Sequence, residues 1–552
     1  MLGDYIMKKT FLSVMALTAL SSLGLVACGN QANGSNLSNG AKSKTLNWME
    51  KGNLRTLDPS TIVESTSAET LANADQGLLA NPKSNELDSG VAKSYKVSKD
   101  GKTYTFNLRH EKWSNGDPVT AKDFVYGFQR SVNPKTASQD SYILDHVANY
   151  SNVSKGKAPV STLGVSAPND YTFVVHLSKP QTYFKYLTAG SVMYPQNEKV
   201  VTKLGKSYGT TSQNQVYNGP YTIQGWNGTN DSWSLKKNPN YWNAKNVNLN
   251  QVKFHVVKDG QTGMNEYQTG MLDQLSLNSK QQVENYNHSS ELHKFNTANS
   301  DYVELNQQKV SAFKNVKLRQ ALSYAIDRNQ LVNNVLGDGS KPLNSFVANN
   351  LAKYKGKDFA NEAKVNSSSQ YDMNKAKELW KQGLKEVGKN GLDLKLTSDD
   401  SDTAKSVSEY MQSQWTKLPG LKVTNVSLPS QQRVSRLLSQ NFDMCLTGWN
   451  PGIPDPSATL DTRESTNSMN FSKWKNTKFD ALMNDAENTH SNDENKRWDD
   501  MVKAGKLADK DVSAVNLYQN ARPTLLKTNV HGLRYNSTGD SWDFAKAYVS
   551  DK

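Results

Sequence analysis

Between residues 316 and 447 the apolar residues change their spacing several times, and few folds accommodate that. Leu318, Ala321, Leu322, Ala325 and Ile326 stand at i, i+3, i+4, i+7 and i+8. This is the spacing of one buried helix face, so a helix is predicted over 316–335. Further helices are predicted over 372–387 and 404–417, with short β-type runs at 392–397, 421–426 and 443–447. Strands alternating with helices of this length fold as an α/β body.

The earlier half repeats the alternation. A helix is predicted over 68–79. Residues 95–108 alternate around Asp100-Gly101, which predicts a β-hairpin. Thr120 with Asp123 three residues on forms a capping box. It opens a helix whose residues Phe124, Val125, Phe128 and Val132 share a face. Strands are predicted at 171–177, 221–226 and 252–257. No internal repeat is visible.

A chain of 552 residues exceeds what one core holds, so two or three domains are expected. Lys and Arg total 65 against 52 acidic residues, a net charge of +13. The basic residues are mostly scattered lysines among Asn, Ser and Asp. They predict a solvated cationic surface, suited to an anionic cell surface, and no nucleic-acid partner.

The N-terminus reads as an address. Lys8 and Lys9 precede an uncharged apolar stretch from Phe11 to Ala27, the pattern of a secretory signal. It ends in Leu25-Val26-Ala27-Cys28-Gly29, a lipobox whose cysteine takes a diacylglyceryl group and becomes the mature first residue. The start is Met1 or Met7. Two acyl chains suffice for stable anchoring. Residues 29–44, rich in Gly, Asn and Ser, form a flexible tether. No later apolar run is long enough to span a membrane. The second cysteine, Cys445, is expected as a small buried hydrophobe.

No hydrolytic or metal motif emerges. His288 and His293 read as a solvated pair. Gly205-Lys206-Ser207 resembles a phosphate loop, but Val200 stands where its first glycine is needed. Asp399, Asp400 and Asp402 are expected as a solvated acidic loop. Neither a cofactor, a metal site nor an enzymatic activity is expected.

Several segments, in chain order, resemble the extracellular solute-binding proteins of oligopeptide ABC importers, the peptide/nickel-binding family. They are Leu57-Asp58-Pro59, the run from Trp113 to Phe124, and Asn218-Gly219-Pro220-Tyr221 with Lys237 to Trp242. Arg319 to Asp327-Arg328, Phe442-Asp443 with Gly448-Trp449 and Asp455-Pro456, and Ala514 to Tyr518 with Val530 to Leu533 complete the series. The resemblance implies a two-lobed clamp of the periplasmic-binding-protein type II, with an extra α/β subdomain on the first lobe. Residues 1–28 would be the signal peptide and 29–44 the tether. Residues 45–80, 213–304 and 524–552 would build the first lobe, 81–212 the extra subdomain and 305–523 the second lobe. Arg319 and Asp327 are expected as helix-surface or packing residues, and Asn218-Gly219 as a turn.

The same resemblance implies a function. Oligopeptides would bind between lobes that close by hinge motion, for delivery to the membrane subunits of an ABC importer. The protein would be a monomer on the outer face of the cytoplasmic membrane of a Gram-positive bacterium. The ligand site would comprise Glu64, Ser65, Tyr302, Trp449, Asn450, Pro451, Gly452 and Asp455. Tyr302 and Trp449 read equally as core aromatics. Members that grip a peptide's amino group usually carry an aspartate three residues after the Gly-Trp tryptophan. Gly452 stands there, so weaker dependence on a free N-terminus is expected unless Asp455 or Glu64 substitutes. Asp455 itself reads as a turn element. A receptor for a signalling peptide or wall fragment, a cationic wall-binding lipoprotein and a surface hydrolase are the competing readings.

Overall fold

The computed structural model describes residues 45–550 apart from positions 82 and 85. The signal, the tether and Cys28 lie outside the described residues. Three sheets organise the body.

The first contains Thr45–Glu50, Gln251–Val256, Ser232–Lys237 and Tyr221–Gln224 in that spatial order. Thr45–Glu50 runs parallel to Gln251–Val256, and the other pairs are antiparallel. Alternate residues of these strands point into one core, joined by the chain's C-terminal segment. Trp48 meets Trp542 and Phe544 edge-on, with ring centroids 5.2 and 5.0 Å away, a favoured aromatic geometry.

The second sheet, Ala92–Val97, Thr103–Leu108, Thr172–His176 and Val165–Asn169, is wholly antiparallel. The predicted hairpin forms, with Gly101 at φ +70° in its turn, a conformation glycine adopts without strain. The helix Ala121–Val132 packs on this sheet through Phe124 and Phe128, both against Phe173. The Thr120 N–H donates to Asp123 Oδ2 at 2.7 Å, closing the capping box.

The third sheet has seven strands, and two of them are unusually long. Leu292–Leu305 and Val515–Leu526 lie antiparallel at its centre. Their two halves belong to different cores. Leu525 packs with Met49, Tyr267 and Leu275 on the side of the first sheet. Val303, Val515 and Leu517 pack with the helices Val316–Tyr324, Met373–Glu386 and Asp402–Trp415. The pairing slips register between Asn296 and Ser300 and again between Asp301 and Tyr302. Such bulges bend and twist a strand, and here they fall where the chain passes from one core to the other. Met444–Trp449, Leu392–Asp399 and Leu421–Leu428 extend the sheet on the far side.

Four expectations need correction. The helix over 316–335 is broken. Val316–Tyr324 ends, Asp327 caps a new turn by accepting the Gln330 N–H at 3.0 Å, and wider turns follow over Leu331–Leu336. At the break, buried Arg328 donates to the carbonyls of Ser323 and Ile326, each at 3.2 Å. Both helical pieces face one core, so the apolar spacing runs through the break. The helix over 68–79 is instead Ser65–Ala72. Asn73 ends it by donating its amide to the Glu69 and Trp542 carbonyls, each at 2.9 Å. Asp399 is no loop residue: it ends a strand and accepts Arg433 Nε at 2.7 Å. The Asn218-Gly219 segment is a close backbone approach more than a turn. Asn218 is buried and exchanges hydrogen bonds with Gln76, and Gly219 N–H donates to the Ala74 carbonyl at 2.7 Å.

Other readings hold. Arg319 is a packing residue whose guanidinium donates to backbone carbonyls of Phe313 and Asp511. Cys445 is buried and unpaired, and burial pushes its thiol up to about 12.

Candidate functional site

The crossing strands position the site. Met444–Trp449 pairs with the second half of Leu292–Leu305, matching Ser300 with Trp449 and Asp301 with Gly448. It therefore ends at the register slip and delivers residues 450–455 into the gap between the two cores. Trp449 Nε1 donates to the Ala458 carbonyl at 2.7 Å, which pins the start of this loop. Asn450 and Gly452 are exposed, whereas Pro451 is buried.

Tyr302 is buried at 2% exposure. Its ring lies 4.9 Å from that of Phe346, and Trp449 packs against the same cluster. Beneath it Arg463 donates to both Glu304 oxygens at 2.7 and 3.1 Å, with neither side chain exposed. The guanidinium lies 4.6 Å from the Phe346 ring centroid. Tyr302 thus stiffens the wall from behind, while Trp449 spans from that cluster to the loop.

Asp455 is more than a turn element. Its oxygens accept Arg497 Nη1 and Nη2, each at 2.9 Å, and the Ser457 hydroxyl at 2.7 Å. Burial pushes its carboxyl up, but Arg497 and Ser457 outweigh this and hold it below the ordinary range. A carboxylate so fully paired has no lone charge for a ligand's ammonium. Arg497 also binds Glu487 at 2.7 Å and sits 5.5 Å from the Tyr183 ring centroid. Elsewhere both Glu64 oxygens accept the Ser67 N–H, at 3.0 and 3.2 Å, capping the helix that exposed Ser65 opens. Glu64 neighbours Glu50, which burial pushes up to about 7 against the pull of Arg522 on the crossing strand.

The tip of the 450–455 loop reaches the first core. The Gly452 carbonyl oxygen lies 3.7 Å from where a Cβ would stand on Gly539. A cavity of ≈ 270 Å³ opens beside this approach. It is lined by Gly452 and by Asp75, Tyr194, Trp242 and Asp540, among others. A Cβ on Gly452 would meet nothing within 4 Å.

Sequence reasoning missed Asp75, Asp301, Arg433 and Asp540. Asp301 sits at the second register slip and accepts the Asn299 and Asn520 amides. Burial pushes it up to about 7. Arg433 also donates to Thr447 Oγ1 at 2.9 Å. These residues share no spacing pattern: Asp75 and Asp540 meet at one cavity, and Asp301 and Arg433 interact elsewhere, each pair brought together by segments distant in sequence. Among the described residues no group of three or more His, Cys, Asp or Glu could hold a metal ion, and no helix is long and apolar enough to cross a membrane.

Two α/β cores joined by a pair of bulged strands define a two-lobed clamp of the type II periplasmic-binding-protein class. The chain belongs to the bacterial extracellular solute-binding proteins, family 5, whose model matches residues 86–471. It is 35% identical to a dipeptide-binding protein of Lactococcus lactis subsp. cremoris, over 98% of this chain and 99% of that protein. It superimposes with a TM-score of 0.74 on Listeria monocytogenes OppA bound to peptide, at 33% identity, covering 93% of this chain and 100% of that one. The pheromone receptor PrgZ matches with a TM-score of 0.74 at 32% identity, covering 92% and 100%. The first is named for binding dipeptides, the second was solved bound to peptide and the third is named a pheromone receptor.

Proposed function

We propose that this protein is an extracellular receptor that binds peptides in the cleft between its lobes and delivers them to an ABC importer. The observation that supports this reading is the doubly slipped strand pair at the joint of the two cores, where Met444–Trp449 ends and residues 450–455 begin. An extended peptide presents backbone donors and acceptors that such segments can pair irrespective of side chain. Water then completes the contacts of its side chains. In this reading Ser65, Asn450 and Gly452 meet the ligand, and Trp449 and Pro451 shape the wall. Tyr302, Glu64 and Asp455 hold the geometry. Because Asp455 and Glu64 are engaged within the protein, neither supplies the amine anchor that Gly452 lacks.

The receptor acts as a monomer on the outer face of the cytoplasmic membrane of a Gram-positive cell, held by a lipid on Cys28. Replacing Cys28 by Ala should release the protein into the medium and abolish its labelling by fatty acid. Retention with undiminished labelling would refute the anchor. Native mass spectrometry of freshly purified protein tests the cargo. A ladder of peptide masses supports general capture, and a protein that never carries or takes up peptide refutes it. Similarity to a pheromone receptor favours a second reading, capture of one signalling peptide, for which a single defined mass is expected.

A further inference from the structure

The cavity beside Gly452 carries a charge imbalance. Asp75, Asp88, Asp540 and Asp543 line it, together with Arg534 and Lys546. Arg534 takes two of the carboxylates: Nη2 is 2.6 Å from Asp543 and Nη1 is 3.6 Å from Asp88. Lys546 acts on Asp543 as well. Among the described residues Asp75 and Asp540 are left without an ion pair. Asp75 is 2% exposed, and the one hydrogen bond to its carboxyl among the described residues is from the Asn218 N–H to Oδ1, at 3.3 Å. The Asp540 side chain has no hydrogen bond or ion pair among the described residues, and its ionisable neighbour Glu69 is another carboxyl. Tyr194, buried and lining the same space, feels both carboxylates.

A carboxylate taken out of water without a cation costs several kcal/mol; Asp75 is such a group, and half-buried Asp540 lines the same cavity. Burial alone pushes Asp540 up to about 6 and Asp75 well above the ordinary range. What such a space would take is a cation. A hard metal ion needs six or more oxygen ligands, and no cluster of three or more metal-ligating acids or imidazoles is formed among the described residues. A protonated amine needs fewer: three donors on one nitrogen meet two carboxylates and a hydroxyl. Trp242 and Tyr241 add aromatic wall for the carbon stem. Gly452 comes from the second lobe, so an occupant touches both lobes at once.

We propose that this cavity is the subsite for one protonated amine of the bound cargo, held between the Asp75 and Asp540 carboxylates of the first lobe and covered by the Gly452 backbone. The proposal rests on the peptide-receptor reading. It moves the charge that the 450–455 loop lacks to the opposite wall. The amine is the peptide's N-terminus or a lysine side chain, which share this chemistry.

Calorimetry on the full chain and on Asp540→Asn and Asp75→Asn tests it with four peptides of one sequence. They are a lysine-free peptide with a free N-terminus, its acetylated form, an acetylated peptide with one lysine, and its norleucine counterpart. The wild type should prefer one amine-bearing peptide over its neutral partner by about tenfold. Asp540→Asn should remove most of that preference. Loss on acetylation identifies the N-terminus, and loss on norleucine substitution the side chain; either supports the subsite. Equal binding of amine-bearing and neutral peptides overturns it and leaves the receptor reading standing, as does a preference that survives Asp540→Asn. Failure to bind any peptide overturns the receptor reading too. Should Asp75→Asn fail to fold, the wild-type preference and Asp540→Asn decide the matter.

Discussion

Replacing Arg463 by Met strands a carboxylate in the centre of the second lobe. Glu304 and Arg463 are both fully buried and joined by two hydrogen bonds, so the Glu304 carboxylate would lose its only ionic partner among the described residues while staying out of water. Breaking a buried pair on one side costs about 3–5 kcal/mol, because a lone buried charge remains. For a body of about 500 residues the unfolding entropy is about 1 kcal/mol/K, so Tm should fall by about 3–5 °C. The double variant Glu304→Leu/Arg463→Met removes the charge together with its partner and should return to within about 1 kcal/mol of the parent. The cycle should therefore show a coupling of about 2 kcal/mol or more. Urea melts followed by tryptophan fluorescence, with calorimetric Tm values, provide the assay. If Arg463→Met costs less than about 1 kcal/mol, or if the two single losses simply add in the double variant, the reasoning about this pair is refuted.

Stability should rise as pH is lowered from about 8.5 to about 5.5. Burial raises Glu50, Asp301 and Asp509 to about 7 and Glu111 to about 8. A raised carboxyl contributes stability that is complete below its unfolded pKa and is lost as pH climbs through the folded value, at up to about 1.4 kcal/mol per pH unit per group. A Tm that is flat or falls over that interval contradicts these assignments. Gly219→Ala should cost about 2–4 kcal/mol in denaturant melts, since its Cβ would stand 2.5 Å from the Ala74 carbonyl oxygen; a change below about 0.5 kcal/mol would show that the approach is looser. Cys445 should resist alkylation in the native protein and react once it is unfolded, as follows from a buried thiol held at about 12. Rapid native labelling would disprove its burial.

The parts of the fold that were legible are those that local spacing controls. The Asp100-Gly101 hairpin, the Thr120 capping box and the helices Met373–Glu386 and Asp402–Trp415 each follow from residues within a few positions of one another. The break at Ala325–Asp327 was hidden because one core receives both pieces, so the periodicity carries no mark of it. The motifs that reveal the family are mostly structural. Trp113 is buried, Ser114 N–H ties to the Tyr217 carbonyl, and Arg319 and Arg328 satisfy backbone carbonyls. They specify the scaffold and leave the ligand open. The 450–455 loop could be found through its Gly-Trp motif, and the engagement of Asp455 with Arg497 could not, because Arg497 comes from a separate helix, Glu494–Lys510. Asp75 and Asp540 meet at one cavity from opposite ends of the chain, and no spacing rule links them. Strand register slips likewise depend on pairing across the lobes, which no single segment encodes.

Two lobes that shut on a peptide by bending at the Asn296–Ser300 register slip are what the account requires. Small-angle X-ray scattering during titration with a peptide whose binding is followed by calorimetry measures that directly. The radius of gyration should contract in proportion to the fraction bound, and the peptide should be recovered chemically intact. A scattering curve unchanged at saturation, or a peptide cleaved on release, would contradict it.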